Sequence, residues 1–112
     1  MAIRDQILNA FPFLFKQFGF AFLETSADDE MVVIAESGSL RLRFIQDRAD
    51  FFLDAGSAKT PEKWVSLYDI LDEMKRKGLI SEDYKYANRI GAVSGILKKT
   101  FPALKAYMLS AN

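Results

Sequence analysis

The run Leu40-Arg41-Leu42-Arg43-Phe44 most constrains what this chain can fold into. Apolar and charged residues alternate through it without a fault, and a period of two belongs to a β-strand. In that conformation Leu40, Leu42 and Phe44 share one face and the two arginines share the other. Such a strand sits in an antiparallel sheet with one side in the core and the other partly wetted.

Its neighbours read as further strands. Phe20 to Glu24 forms the first. Ala27-Asp28-Asp29-Glu30 is a polar turn, and Met31-Val32-Val33-Ile34-Ala35 is a nearly continuous apolar run, the pattern of a strand covered on both sides. Ser37-Gly38-Ser39 turns the chain into the alternating strand at 40–46, and Asp47-Arg48-Ala49-Asp50 turns it into Phe51-Phe52-Leu53-Asp54. Connections this short force sequential strands to run antiparallel, which gives a four-stranded meander.

Helical patterns flank the meander. Ile3, Ile7, Phe11, Leu14, Phe15 and Phe18 recur at steps of three and four, as one face of a helix. Pro12 removes the backbone bond to Leu8, so the helix kinks there or breaks and restarts. Gly19 ends the element as a left-handed cap. Six of the ten phenylalanines lie between Phe11 and Phe22, and rings of this size anchor a small core. Phe13 falls off the main stripe. It either covers the bend at Pro12 or belongs to an exposed patch that seeks a partner.

After the sheet, Ala55 to Lys59 reads as a loop and Thr60-Pro61-Glu62 as a helix start, with Thr60 as N-cap. Trp64, Leu67, Tyr68, Leu71 and Met74 continue that helix until Gly78 stops it. The cations Lys75, Arg76 and Lys77 suit the negative end of its dipole. Ser81 caps a third helix, whose stripe is Tyr86, Ile90, Val93, Leu97 and Phe101. Gly91 and Gly95 leave a groove on it for close approach of another element. Thr100-Phe101-Pro102 marks a kink or break before a short last helix carrying Leu104, Tyr107 and Met108.

The expected architecture is a single α+β domain over residues 1–112: an N-terminal helix, an antiparallel four-stranded meander, then two to three C-terminal helices packed mainly on one sheet face. Such a chain is long enough to bury an independent core. It has no apolar run of membrane-spanning length. The polar N-terminal residues Arg4, Asp5 and Gln6 are unlike a signal peptide, and a cysteine-free chain carries no disulfide framework. The expected compartment is the cytoplasm.

Residue types narrow the chemistry. The sequence contains no histidine and no cysteine, which excludes imidazole general bases, Ser-His-Asp and Cys-His arrangements, thiolate chemistry and zinc-thiolate sites. The Gly91-to-Gly95 segment lacks the glycine-to-serine spacing of a nucleophile elbow, and no phosphate-cradling glycine loop is present. No metal and no cofactor is expected. Asp47, Asp50 and Asp54 gather around the last hairpin with Arg48, and a salt-bridged turn explains them better than magnesium or calcium ligation.

The residues chosen as binding candidates are Arg41, Arg43, Arg48 and Phe13. The arginines form a basic stripe able to meet a phosphate or an acidic partner, set against the plain alternative of a solvated outer face whose aliphatic stems cover apolar surface. Tyr84, Lys85, Tyr86 and Arg89 mix aromatic and basic groups in a way that suits single-stranded nucleic acid. The formal charge balances overall, with 5 basic and 9 acidic groups in residues 1–55 and 10 and 6 in residues 56–112. A nucleic-acid-binding domain is more basic than this.

The leading expectation is therefore a small cytoplasmic module that binds another protein and catalyses nothing, with homodimerisation through a free strand edge as one form of it. The alternatives are a binder of small anionic ligands, or an atypical enzyme, with a pocket between sheet and helices in which Arg43 or Arg48 holds the anion, and nucleic-acid binding through the basic second half.

Overall fold

The computed structural model describes residues 3–23 and 31–110. Its elements are α1 (Ile3–Ala10), α2 (Pro12–Lys16), β1 (Ala21–Phe22), β2 (Val32–Ser37), β3 (Leu40–Asp47), β4 (Asp50–Ser57), β5 (Val65–Ser66), α3 (Leu67–Arg76) and α4 (Ile90–Ser110). The strands form one sheet in the order β1-β2-β3-β4-β5, every neighbour antiparallel. The fold is α+β, as its hydrophobic pattern predicts, with five strands in place of four. The polar turn read at residues 27–30 lies outside the described residues.

Alternation in β3 sets the two faces. Leu40, Leu42 and Phe44 are buried, and their cross-strand partners Val33 and Ala35 on β2 and Leu53 and Ala55 on β4 are buried with them. The described helices pack on this face. Phe11 meets the rings of Phe44 and Phe51 at centroid distances of 5.3 and 6.0 Å, and Phe101 of α4 takes Phe18 and Phe20 at 4.5 and 5.8 Å. Leu67, Ile70, Leu71 and Met74 of α3 and Val93, Leu97 and Leu104 of α4 complete the core.

Pro12 breaks the first helical pattern into two elements. Phe11, at φ −123° and ψ 49°, is the non-helical joint between them. The break re-aims α2, and this corrects the reading of Phe13. On one continuous helix it lies off the stripe; on α2 it points inward, 7% exposed, against Phe11 and Phe101. Phe13 is a core residue and forms no part of a surface patch.

Three further boundaries differ from the sequence reading. Thr60 and Pro61 shape a turn, with Lys63 N–H donating to the Thr60 carbonyl, and Trp64 lies outside any helix, just ahead of β5. The true N-cap of α3 is Ser66, whose hydroxyl accepts from Tyr68 N–H. Strand pairing with β4 holds the chain extended through Ser66 and overrides the Thr-Pro helix signal. Residues 80–88 are in neither helix nor strand and form a strap in place of the start of the third helix. The Tyr68 hydroxyl donates to the Ala87 carbonyl and accepts the Ala87 N–H, each at 2.9 Å, while Asn88 bonds Asp50 and accepts from Phe51 N–H. Finally, α4 runs through Pro102 without ending. Gly91 and Gly95 are exposed on it, with nothing within 4 Å of where a Cβ would stand, so no described element enters that groove.

The end of α3 follows its sequence. Gly78 adopts φ +75°, Leu79 N–H reaches the Met74 carbonyl and Gly78 N–H the Lys75 carbonyl, the paired bonds of a Schellman ending. Among the described residues no helix is long and apolar enough to cross a membrane.

Candidate functional site

The second face of the sheet carries no described helix, and it holds two of the four candidate residues. Register fixes its layout as three rows across β2, β3 and β4, beyond which Asp47 stands opposite Asp50 on the same face at the hairpin end. Glu36, Arg41 and Gly56 form one row. Ile34, Arg43 and Asp54 form the next, and Val32, Ile45 and Phe52 form the third. All are half-buried except Gly56, which is buried. Met31 to Ala35 therefore does not lie between two layers, as its apolar run implies. One side of β2 faces the core and the other faces out.

Arg43 is the best-held side chain of this face. Its Nε and Nη2 both donate to Asp54 Oδ2, at 3.0 and 2.6 Å, directly across the β3–β4 pair. The guanidinium also lies over the Trp64 ring, 4.7 Å from its centroid. A stacked, charge-assisted fork of this kind is stronger and more directional than a neutral hydrogen bond. Arg41 donates through Nε to Glu36 Oε1 at 3.4 Å, again across strands.

Trp64 reaches this position because Gly56 has no side chain. A Cβ there would stand 2.6 Å from the Lys63 carbonyl oxygen and 3.2 Å from the Trp64 ring. The chain thus crosses β4 tightly after its turn at Thr60 and lays the indole over Gly56 and onto Arg43. Glycine is needed at this point for space and not for φ.

Arg48 does not join the other two arginines. It lies beyond the end of β3, exposed in the two-residue connection to β4, with φ +58°. Gln46 Nε2 braces that turn by donating to the carbonyls of Arg48 and Asp50 at 2.7 and 3.3 Å. The three aspartates of the hairpin separate likewise. Asp54 pairs with Arg43, Asp50 accepts from Asn88 and Asp47 is exposed at the turn. Among the described residues no group of three or more carboxylates is placed to hold a metal ion.

The aromatic-basic segment from Tyr84 to Arg89 lies in and just beyond the strap. Tyr86 is exposed and its ring stands 5.1 Å from that of Tyr68. Burial pushes the Tyr68 hydroxyl above its ordinary pKa, against the lowering effect of its bond with the Ala87 backbone. Tyr68 serves here as a clasp. The space between sheet and helices, where the ligand-binding alternative needs a pocket, is filled by Phe11, Phe44, Phe51 and Phe101.

The sequence reading placed only the arginines on this face and left Trp64, Gly56, the carboxylates Glu36 and Asp54, and the apolar row unassigned to it. A signal existed for its apolar row: Ile45 falls on the same side of β3 as the arginines, and Phe52 doubles the apolar position beside Phe51. No protein-family model, curated protein or solved structure matches the chain.

Proposed function

We propose that this chain is a small cytoplasmic protein-interaction module that binds through the helix-free face of its sheet. The observation that supports this reading is the apolar row Val32, Ile45 and Phe52, continued by Ile34 in the next row, on a face that no described helix covers. β-Branched and aromatic residues placed side by side on an uncovered sheet face leave apolar surface in water, and covering it is favourable by roughly 25 cal/mol per Å². Arg43, with Trp64 over its guanidinium, stands in the next row and Arg41 in the one beyond, and arginine and tryptophan are residue types enriched where partners meet.

The other readings have less support. Arg41 and Arg43 are each engaged by a carboxylate of the same face, so neither is free to neutralise a phosphate. Among the described residues, Phe11, Phe44, Phe51 and Phe101 pack in the space between sheet and helices, which gives a small-ligand site there no support.

A photo-crosslinking residue, p-benzoylphenylalanine, placed at Phe52 tests the reading in the cells that produce the protein. Light should join position 52 to a protein, whereas the same residue at Leu8, exposed on α1, should give no such adduct. Absence of any adduct from position 52, or equal adducts from both positions, would refute the proposal.

A further inference from the structure

We infer that the helix-free face takes a basic amphipathic helix of another protein, its apolar side on the row Val32, Ile45 and Phe52 and its cations towards Asp47 and Asp50; the inference rests on reading that face as a binding surface. Charge makes the first argument. Register places four carboxylates on this face, Glu36, Asp47, Asp50 and Asp54, against two guanidinium groups, Arg41 and Arg43. The arginines answer Glu36 and Asp54. Asp47 and Asp50 stand opposite each other at the hairpin end, and among the described residues neither has an ion-pair partner. The Asn88 amide donates to Asp50 but brings no charge. Arg48, in the turn between the two aspartates, pairs with neither. Like charges directly opposite on a sheet repel, so a cation arriving from outside is attracted by both carboxylates at once.

The same charge selects among occupants. Residues 1–55, which supply most of the sheet, hold 5 basic and 9 acidic groups. Nucleic acid and anionic lipid would bring phosphates towards unpaired carboxylates, whereas a basic protein segment is drawn to them. Geometry then favours a helix. The described edge strands β1 and β5 are two residues each, too short to continue the sheet into another chain by backbone pairing. Across three strands spaced at about 4.8 Å the apolar row runs about 10 Å, which two turns of helix match at about 11 Å. Apolar residues at steps of three and four therefore follow the row. The aspartates lie about 7 Å along the strands from it, and a helix about 10–12 Å across reaches them with the residues of its flank.

Fluorescence anisotropy with two labelled synthetic peptides tests the inference on the full chain. One peptide, about 18 residues or five turns long, carries leucine on one face and lysine on the other; its twin has glutamate in place of lysine. The lysine peptide should bind, and more weakly as salt rises; the glutamate peptide should not bind. Asp47→Asn and Ile45→Thr should each weaken binding by about three- to tenfold. Asp72→Asn, which removes the same charge from an exposed position on α3, should leave it unchanged. Circular dichroism verifies that each variant is folded.

Equal binding of both peptides, no binding of the lysine peptide at low salt, or binding that folded Asp47→Asn and Ile45→Thr leave intact overturns the inference. If position 52 crosslinks to a segment without lysine or arginine, or to a second copy of this chain, the occupant is wrong and the binding reading stands. If position 52 gives no adduct and the lysine peptide does not bind, both fall.

Discussion

Replacing Gly56 with alanine tests the packing of Trp64 against β4. The added carbon would stand 2.6 Å from the Lys63 carbonyl oxygen, roughly 0.7 Å inside the closest ordinary carbon–oxygen approach of about 3.3 Å. That oxygen belongs to the backbone, so relief requires moving the turn that delivers Trp64. Overpacking of this kind costs about 1–3 kcal/mol. Against it stands the gain from restricting the unfolded chain, about 0.4–1 kcal/mol for Gly→Ala. The clash wins, with a net loss of roughly 1–2 kcal/mol and a fall in Tm of roughly 4 °C per kcal/mol. Trp64 is the sole tryptophan, so its emission reports the same event: displacement from Gly56 and Arg43 should shift it to the red. Gly95→Ala is the matched control. It makes the same chemical change on α4 with nothing within 4 Å of the new carbon, and it should stabilise the protein by up to about 1 kcal/mol. Urea denaturation monitored by circular dichroism and fluorescence measures both. A Gly56→Ala protein as stable as the parent, with unshifted emission, would refute the close crossing.

Arg48 holds φ +58° without being glycine, a conformation costing roughly 1–2 kcal/mol for a residue with a Cβ. Arg48→Gly should therefore raise the denaturation midpoint, and Arg48→Ala should not. Pro102 interrupts α4 from within and offers no N–H to the Lys98 carbonyl; Pro102→Ala at this exposed position should stabilise by about 1–3 kcal/mol in the same assay, and a loss of stability would contradict the continuous helix. Tyr68→Phe removes both bonds to Ala87, so trypsin should cut sooner at Lys85, exposed on the strap, and amide exchange at Ala87 should quicken. The raised pKa of Tyr68 also has a sign. The unfolded chain loses this proton near the ordinary tyrosine value of about 10, the folded chain only at higher pH. Stability is thus undiminished below that value and falls as pH climbs through it towards the folded pKa. Tyr68→Phe should flatten that decline in denaturation curves taken at alkaline pH.

The sheet was legible because its signals are local and agree. Alternation at 40–44, Gly38 at φ +60° in one turn and the short connection after Asp47 all point to the same meander. The errors arose where a local signal met a tertiary competitor. Thr60-Pro61 is a sound helix start by composition, yet pairing of Val65 and Ser66 with Ala55 and Asp54 holds the chain extended past it. Ser81 is a sound cap, yet Tyr68 and Asp50 hold Ala87 and Asn88 in a strap. Phe13 was misplaced for another reason. A helical stripe is a statement of phase, and the break at Phe11 resets the phase for every residue after it.

The candidate face shows the same limit from the other side. The two arginines were visible as a pair of like parity, but the carboxylates that engage them come from other strands, and only register supplies those. Glu36 is opposite Arg41 and Asp54 opposite Arg43 because β2 and β4 pair with β3 in a particular alignment; a slip of one residue would have set Ala35 and Ala55, or Ser37 and Leu53, in their places. Register thereby gives each arginine of the stripe a carboxylate and also sets Asp47 opposite Asp50 on the same face, so the stripe carries no excess of cations. On the proposed reading, the face offers a partner no net positive field but an apolar row with the Arg43–Asp54 pair on one side and Asp47 and Asp50 on the other. On that reading, the fit of Val32, Ile45 and Phe52 sets the affinity, and substitutions in that row should weaken binding more than substitutions at Arg41 or Arg43.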